Sequence, residues 1–551
     1  MAAIQSPDVA AFPQYYWMAI VGTLFSFFMA FGIGANDVAN SFATSVAAKS
    51  VTLRQAVCIA SVFEFSGALF LGASVTNTIR SNILDSAYYE NDPEVLMFGM
   101  LCALVTGSIV LIVATYLSYP VSTTHTIVGG VVGFSLAAKG FKSVQWFQTG
   151  MIFVSWVASP LLTGALAAFL FLMVKKFVLH SENPYPRAIK TYPLVLFVAL
   201  TVSSFFVIYK AANNNSAIKN LSLAVILPVS FGIGIGSALI FQFAISPFLQ
   251  RKIARERPTT DVEAQEVNKS NQTSEEFGVE EKAAEAAAIA DGSADDVSPH
   301  TSTHVAEKTK KGNPHIKGQN DADADTEEAH TDEQGASMMK RAYKSFADAT
   351  FDQDLEGKTM KKSVHTAKIW EEAEQFNPDA EKMFSYLQVF TACMLSFGHG
   401  ANDVANAVAP LSAIIVIYDT GSVPSKSGVP QWVLALGGAG IVIGLLLYGY
   451  KMMSALGYRL AKLSPSRGFC IELSASLIVV IASFAGIPVS STQCQVGGTI
   501  GVGATFGRKQ VDWKFVLRVA FGWVASFITV VLMSAGIFAF SYYSPAAAGF
   551  A

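Results

Sequence analysis

The stretch Gly34–Asn40 reads Gly-Ala-Asn-Asp-Val-Ala-Asn, and Gly400–Asn406 repeats all seven residues 366 positions later. A second motif is also duplicated: Pro120–Thr124 (Pro-Val-Ser-Thr-Thr) is answered by Pro488–Thr492 (Pro-Val-Ser-Ser-Thr), with an offset of 368. Each copy of the second motif is followed by Val-Gly-Gly. Two motif pairs at nearly the same offset indicate an internal duplication, so the chain consists of two related halves.

Both motifs lie within apolar surroundings. The chain is 52% hydrophobic and only 14% charged, with a mean hydropathy of +0.41. Most apolar runs are long enough to cross about 30 Å of hydrocarbon as a helix. The near balance of acidic and basic residues gives no indication of nucleic-acid binding, and the five cysteines lie in apolar segments, where we expect reduced thiols. The composition predicts an integral membrane protein.

The apolar runs predict an all-α, polytopic fold with about twelve transmembrane segments. The segments at 120–138 and 488–507 are short and glycine-rich, so either of them could be re-entrant instead of spanning. The predicted segments are 15–47, 53–79, 95–118, 120–138, 146–174, 191–210, 220–248, 384–418, 431–456, 468–486, 488–507 and 513–543.

The number of segments sets the relative orientation of the two halves. Seven predicted segments precede the second Gly-Ala-Asn-Asp motif, so this copy enters the membrane in the opposite sense to the first. Inverted repeats are typical of secondary transporters, whose binding sites lie near the midplane between broken or re-entrant helices. The sequence therefore predicts an inverted-repeat transporter.

The distribution of lysine and arginine predicts which parts of the chain face the cytoplasm. It favours extracellular termini (1–14 and 544–551), an N-terminal membrane half (15–250), a cytoplasmic loop (251–383) and a C-terminal membrane half (384–543). Glycosylation sequons at Asn214 and Asn220 fall in an outer connection under this assignment. We expect a multi-pass protein of the plasma membrane.

The central loop, 251–383, is polar and poor in large apolar residues. Such a composition cannot bury enough surface to offset the entropy of ordering, so we expect a largely disordered tether or regulatory segment. The stretch Ile369–Phe384 is mildly amphipathic, which is typical of a helix lying along the membrane surface.

The first motif suits a hard cation. A carboxylate near the bilayer centre costs about 2.5–3.5 kcal/mol on insertion scales, yet the motif carries one in each half. Carboxylate and amide oxygens are ligands that sodium accepts, and the preceding glycines permit a broken helix with free carbonyls. An interhelical hydrogen-bond cluster is the alternative. The candidate cation ligands are Asn36, Asp37, Asn40, Asn402, Asp403 and Asn406.

The second motif suits an anion. Proline followed by hydroxyl residues is typical of a helix that begins inside the membrane, and its first N–H groups and positive dipole end favour an oxyanion. Ordinary capping of two buried helices is the alternative. The candidate phosphate ligands are Ser122, Thr123, Thr124, Ser490, Ser491 and Thr492, together with Asp37 and Asp403.

Two further acids, Glu64 and Glu472, lie in otherwise apolar segments. They are not at equivalent positions in the two halves. Either could ligate a cation, carry a proton or pair with a base, and we include both among the candidate cation ligands. His125 and His399 adjoin the motifs, where a structural role is as consistent with the sequence as proton transfer.

At these residues the sequence resembles the inorganic phosphate transporter (PiT) family of sodium–phosphate symporters, whose signature is the duplicated Gly-Ala-Asn-Asp-Val-Ala-Asn box. The similarity covers about 15–250 and 384–543. It implies twelve spans, an intracellular central loop and symport of phosphate with sodium. It also implies that Asp37 and Asp403 are essential, that Glu64 and Glu472 are critical for transport, and that Ser122 and Ser490 contribute to the substrate site.

The resemblance leaves the coupling ion and the substrate open. Some relatives couple to protons or move sulfate, so a proton-coupled phosphate or sulfate symporter is the alternative. A channel or a non-transporting phosphate receptor is the alternative from a different functional class. We expect no enzymatic activity and no cofactor other than co-transported sodium. The expected partners are membrane lipid and, as substrates, phosphate and sodium. The protein could also form a homodimer.

Overall fold

A computed structural model describes residues 10–214, 221–255, 344, 347, 350, 354–423 and 428–547. This part of the chain is helical and contains no sheet, only an isolated bridge between Leu84 and Val144. The all-α prediction is confirmed. The first half contains α1 Tyr16–Asn36, α2 Ala39–Ala47, α3 Leu53–Leu71, α4 Ala73–Ser81, α5 Pro93–Tyr116, α6 Thr123–Lys139, α7 Trp146–Val174, α8 Pro184–Asn214 and α9 Leu223–Ile240.

The second half begins with two short helices that precede the membrane segments. The helices are α10 Leu355–Lys362, α11 Val364–Glu371, α12 Pro378–Thr420, α13 Gln431–Arg459, α14 Pro465–Ala485, α15 Ser491–Ala504 and α16 Trp513–Ala547. Ten helical stretches among the described residues are long and apolar enough to cross a membrane. The two remaining predicted segments correspond to α6 and α15, which are 17 and 14 residues long. These are the glycine-rich segments that the sequence marked as re-entrant candidates.

The helices that carry the first motif run in opposite directions. The hydroxyl of Ser26 in α1 donates to the carbonyl of Ala407 in α12 (2.9 Å), and Phe12, just before α1, bonds to Tyr418 near the end of α12 (3.2 Å). The start of α1 therefore lies beside the end of α12. The antiparallel pairing agrees with the predicted inverted repeat.

The second motif shows the same relation. On α6, Gly129 and Gly133 pack against the backbone at 527 and 531 of α16. On α15, Gly497 and Gly501 pack against the backbone at 160 and 164 of α7. The two sets of contacts superpose with offsets of 368 for the glycines and 367 for their partners. Each half-length helix thus packs on the long helix of the other repeat.

The two copies of the first motif differ in backbone conformation. In the first copy the helix is interrupted at Asp37 and Val38, where the Val38 N–H reaches back five residues to the carbonyl of Ile33 (3.4 Å). In the second copy α12 continues through Asp403 without a break. The expectation of a broken helix holds for the first copy and is wrong for the second.

The motif glycines serve close packing instead. A Cβ on Gly34 would lie 1.8 Å from the carbonyl oxygen of Ile441, and one on Gly400 would lie 2.2 Å from that of Glu64. These are equivalent contacts, because α1 packs on α13 as α12 packs on α3. Side chains at either glycine would force two helix backbones apart.

The end of the predicted disordered loop is ordered. Between 354 and 383 the chain forms α10, α11 and the start of α12, which pack on the membrane helices. The indole N–H of Trp370 donates to the carbonyl of Tyr458 in α13 (3.1 Å), and Glu374 pairs with Lys175 (2.6 Å). Apolar side chains such as Ile369, 3% exposed, supply the burial that the loop as a whole lacks.

The two predicted glycosylation sites lie on either side of the boundary of the described residues that follows 214. Asn214 is the last residue of α8, and Asn220 lies outside the described residues, as do most of the central loop and both ends of the chain.

Candidate functional site

The two motif aspartates meet in the interior. Asp37 and Asp403 are 2% and 1% exposed. One carboxylate oxygen of each lies within 4.8 Å of the other and of a ring nitrogen of His399. Two carboxylates at this distance repel each other by about 3.5 kcal/mol at an effective dielectric constant of about 20. The fold therefore concentrates negative charge at one buried point.

The second motif brings two helix N-termini to the same place. Ser122 caps α6 by accepting the N–H of His125, and Ser490 caps α15 by accepting the N–H of Gln493, both at 3.3 Å. Capping leaves the other first-turn N–H groups of each helix without an intrahelical partner. The hydroxyl of Thr124 reaches across to the carbonyl of Val489 (3.1 Å), so the two helix starts are in contact.

Asp37 is held by hydroxyls from both repeats. Thr123 of α6 donates to one carboxylate oxygen (2.7 Å) and Thr492 of α15 donates to the other (3.2 Å). The amide of Asn40 in turn donates to the Thr492 hydroxyl (2.6 Å). The first copy of one motif is therefore bonded to both copies of the other.

Asp403 also accepts a bond from a hydroxyl of the second motif, but its neighbour Asn406 makes different contacts from those of Asn40. Ser491 donates to its carboxylate (2.6 Å), and Asn406 donates to the hydroxyls of Thr123 (3.0 Å) and Thr124 (3.3 Å) in the other repeat. These bonds complete a network in which residues of the two repeats alternate. Movement of one repeat against the other must break several of its bonds together.

Two amide oxygens in this network have no donor. The Oδ1 atoms of Asn40 and Asn406 are buried, and among the described residues neither accepts a hydrogen bond. The two residues occupy equivalent positions in the repeats. A buried acceptor left without a donor costs about 1–3 kcal/mol, which a cation between these oxygens and the aspartates would offset.

The other two motif asparagines hold the approach to the second motif. Asn36 donates to the hydroxyl of Thr115 in α5 (3.1 Å) and accepts the N–H of Val121 (3.2 Å). The Asn402 amide, in the orientation that satisfies its neighbours, accepts from Ser483 in α14 (2.9 Å) and donates to Asp403 (3.2 Å) and to the carbonyl of Val489 (3.1 Å). Both asparagines therefore link the first motif to the residues just before a half-length helix.

Glu64 joins the site through a histidine. His399 lies between two carboxylates, with Nδ1 2.7 Å from Glu64 and Nε2 2.8 Å from Asp403. Ser396 donates to the second oxygen of Glu64 (2.8 Å). Since the Gly34 and Gly400 contacts are equivalent, Ile441 occupies the position of Glu64 in the other repeat, and Ile33 occupies that of His399. This charged group exists on one side only.

Glu472 lies in a separate polar cluster. One of its oxygens accepts from Thr44 (2.5 Å), Ser45 (2.7 Å) and Gln388 (3.1 Å), and the other accepts from Thr391 (2.9 Å). Four donors satisfy this buried carboxylate without a cation. The cluster ties α2, the segment after the helix break, to α12 and α14.

The sequence motifs do not predict several of these partners. Ser396 and His399 precede the motif residue Asp403 by seven and four positions, which places all three on one helix face, so periodicity within α12 could have linked them to the motif. The cluster around Glu472 draws on residues from three helices, and no local pattern predicts it. His125, which the sequence left open, stacks on Trp156 with 3.7 Å between ring centroids.

An inverted repeat with a buried polar centre at the meeting of two half-length helices defines a secondary membrane transporter. A sequence profile of the phosphate transporter family matches residues 33–534. The chain belongs to this family, whose members are transporters and not enzymes.

Named relatives agree with this assignment over nearly the whole chain. The phosphate-repressible phosphate permease pho-4 of Neurospora crassa is 32% identical, covering 94% of this chain and 95% of its own. The sodium-dependent phosphate transporter 2 of Bos taurus is 31% identical, covering 96% and 98%. A solved structure described as the sodium-dependent phosphate transporter is similar with a TM-score of 0.66 and 28% identity, covering 95% and 98%.

Proposed function

We propose that this protein imports inorganic phosphate together with sodium ions by alternating access. The observation that carries the proposal is the pair of donor-free amide oxygens, Asn40 Oδ1 and Asn406 Oδ1, beside two buried aspartates. Acceptors alone cannot satisfy one another. Sodium accepts amide, hydroxyl and carboxylate oxygens, so we assign it to positions beside Asp37 and Asp403.

Phosphate is assigned to the space in front of the two helix starts. The first-turn N–H groups of α6 and α15 and the hydroxyls of the second motif supply donors for a tetrahedral oxyanion. Neither lysine nor arginine contacts the two aspartates among the described residues. Anion binding next to the carboxylates is therefore favourable only when cations are present, which makes the binding of the two substrates interdependent.

The membrane potential explains why cations must accompany the anion. At −100 mV, inward movement of one negative charge costs about 2.3 kcal/mol, close to a fifty-fold disadvantage in concentration. Entry of sodium ions in excess of the phosphate charge reverses the sign of this term. Two equivalent acidic positions allow such a stoichiometry.

The bonding between the repeats supports alternating access. Each repeat contributes one aspartate and one half-length helix, and the bonds at the centre join one repeat to the other. A rocking motion that exposes the centre to one side and then to the other is the usual mechanism for such repeats. In this scheme Ser122 and Ser490 orient the helix starts, and Glu472 holds α2 beside α14. We place the protein in the plasma membrane, with both termini outside and the central loop inside.

A second candidate, proton coupling, is favoured by one observation. His399 bonds to Glu64 through Nδ1 (2.7 Å), and its Nε2 lies 2.8 Å from Asp403, so a small reorientation of the ring would allow a proton to reach an aspartate. Sodium coupling requires external sodium ions, whereas proton coupling requires a lower external pH.

Tracer uptake into proteoliposomes separates these candidates. With labelled phosphate outside and a negative interior potential, we expect uptake with external sodium and none when choline replaces it at constant pH. Uptake that persists in choline and increases as the external pH falls would establish proton coupling. Competition by sulfate would test the choice of anion. Asp37→Asn should abolish uptake while the protein still inserts, and normal uptake by this variant would refute the site assignment.

A further inference from the structure

A basic cavity lies at one end of the membrane helices, away from the transport site. It has a volume of about 980 Å³ and lies between α11, the end of α13 and the start of α16. The charge distribution of the sequence predicts that this end faces the cytoplasm. Six basic side chains line the cavity: Lys368, Arg459, Arg508, Lys509, Lys514 and Arg518.

The carboxylates that line the cavity do not neutralise this charge. Glu372 pairs with Lys368 at 3.6 Å, and Asp512 accepts the N–H of Phe515 (3.1 Å) at the start of α16. In the part of the chain that the structure describes, no ion pair involves the other five basic side chains. Six basic side chains against two carboxylates leave a net positive charge of four on the lining, and the resulting positive potential attracts anions.

The internal repeat shows that the fold does not need these charges. The turn before α16 is closed by a bond from the Trp513 indole N–H to the carbonyl of Arg508 (2.9 Å). The related turn at the opposite end of the molecule is closed in the same way, by Trp146 and the carbonyl of Phe141 (2.8 Å). The positions related to Arg508, Lys514 and Arg518 are apolar: they are Phe141, Phe147 and Met151.

The general bias of basic residues toward the cytoplasm explains why these side chains lie at this end of the membrane helices. It does not explain why they line a single cavity. The cavity is lined from separate parts of the chain, including α11 from the end of the central loop. Beyond the rim of the cavity, α16 exposes Leu517 and Phe521, each about 70% accessible. Trp513 lies at the start of the same helix, and tryptophan is enriched at membrane interfaces. A ligand with a polyanionic head could therefore fill the cavity while acyl chains lie along α16.

We propose that this cavity binds a ligand carrying several phosphate groups on a small ring, of the polyphosphorylated inositol class. Arginine matches phosphate oxygens in a bidentate manner, and lysine adds point charge. Basic pockets between membrane helices on the cytoplasmic side suit such headgroups. Either a membrane phosphoinositide or a soluble inositol polyphosphate offers this chemistry. The proposal does not depend on the identity of the transported ions.

The test uses the full-length protein in phosphatidylcholine nanodiscs. One arm titrates inositol hexakisphosphate by calorimetry, and the other measures retention of phosphatidylinositol 4,5-bisphosphate by native mass spectrometry. The variant combines Arg508→Gln, Lys514→Gln and Arg518→Gln. We expect its binding to be weaker by about two orders of magnitude, from about fivefold per basic residue. The control, Lys142→Gln, alters the outer turn and should bind as the wild type does.

Each outcome decides the proposal. Binding in the lipid arm alone identifies a membrane ligand, binding in the calorimetric arm alone identifies a soluble one, and either supports the site if the triple variant loses it. The proposal is overturned if neither probe binds the wild type, or if the triple variant binds as tightly. Melting of the variant at the wild-type temperature, and unchanged phosphate uptake in phosphatidylcholine vesicles, show that lost binding is not lost folding.

Discussion

Replacing Asp37 with asparagine should make the protein more stable in the absence of sodium while making it insensitive to sodium. One oxygen of Asp37 lies within 4.8 Å of one of Asp403, which corresponds to about 3.5 kcal/mol of repulsion between two carboxylates at an effective dielectric constant of about 20. The substitution removes this repulsion. It also weakens one of the bonds from Thr123 and Thr492, at a cost of about 1 kcal/mol. The expected net gain is about 2.5 kcal/mol.

Melting curves of the purified protein in choline and sodium buffers test both parts of this prediction. In choline, Asp37→Asn should melt roughly 2–4 °C above the wild type. Sodium at a hundred times its dissociation constant should stabilise the wild type by about 2.7 kcal/mol and the variant hardly at all. The control is Asp92→Asn, which removes a partly exposed ion pair with Lys139 and should leave the sodium shift intact. A variant that is less stable in choline, or is stabilised by sodium like the wild type, would refute the reasoning.

Three further predictions use the same assays. Gly34→Ala should lower the melting temperature, because its Cβ would lie 1.8 Å from a carbonyl oxygen, whereas Gly150→Ala, with open space around the Cβ, should not. Ser491→Ala should raise the sodium concentration needed for half-maximal uptake about tenfold or more, since Asp403 loses a charge-assisted bond, and Ser491→Thr should restore it. Glu472→Gln should destabilise the protein by about 1–3 kcal/mol, because an amide N–H₂ would face donors, yet leave the sodium shift in place. A lost shift would instead assign Glu472 to the cation site.

The architecture could be predicted because the duplication left two long motifs almost unchanged. Matching stretches 366 and 368 residues apart, together with the odd number of predicted segments (seven) that precede the second copy, were enough to infer inversion. The helix break in the second copy was predicted wrongly. Glycine permits a break but does not require one, and at Gly400 it permits contact with the α3 backbone instead.

The site could be predicted only in part, because neighbours in sequence need not share a helix face. Asn36 precedes Asp37 by one position, which turns its side chain about 100° away and toward α5. Asn40 follows Asp37 by three positions and lies on the same face. The link between Glu64 and His399 depends on the packing of α3 against α12, and no pattern within either segment specifies a partner 335 positions away.

Asp37 is bonded to residues of both repeats, and this arrangement affects how strictly such a carrier keeps a fixed ratio of transported ions. Thr123 and Thr492 each contact this carboxylate, yet they stand at the entrances of two different half-length helices. Any ion that leaves the acidic position early would disturb both walls of the anion compartment at once. In the proposed symport, a transporter that carries only part of its cargo would therefore change less readily between its two open states, and leakage of sodium down its gradient would be reduced without a separate gating segment.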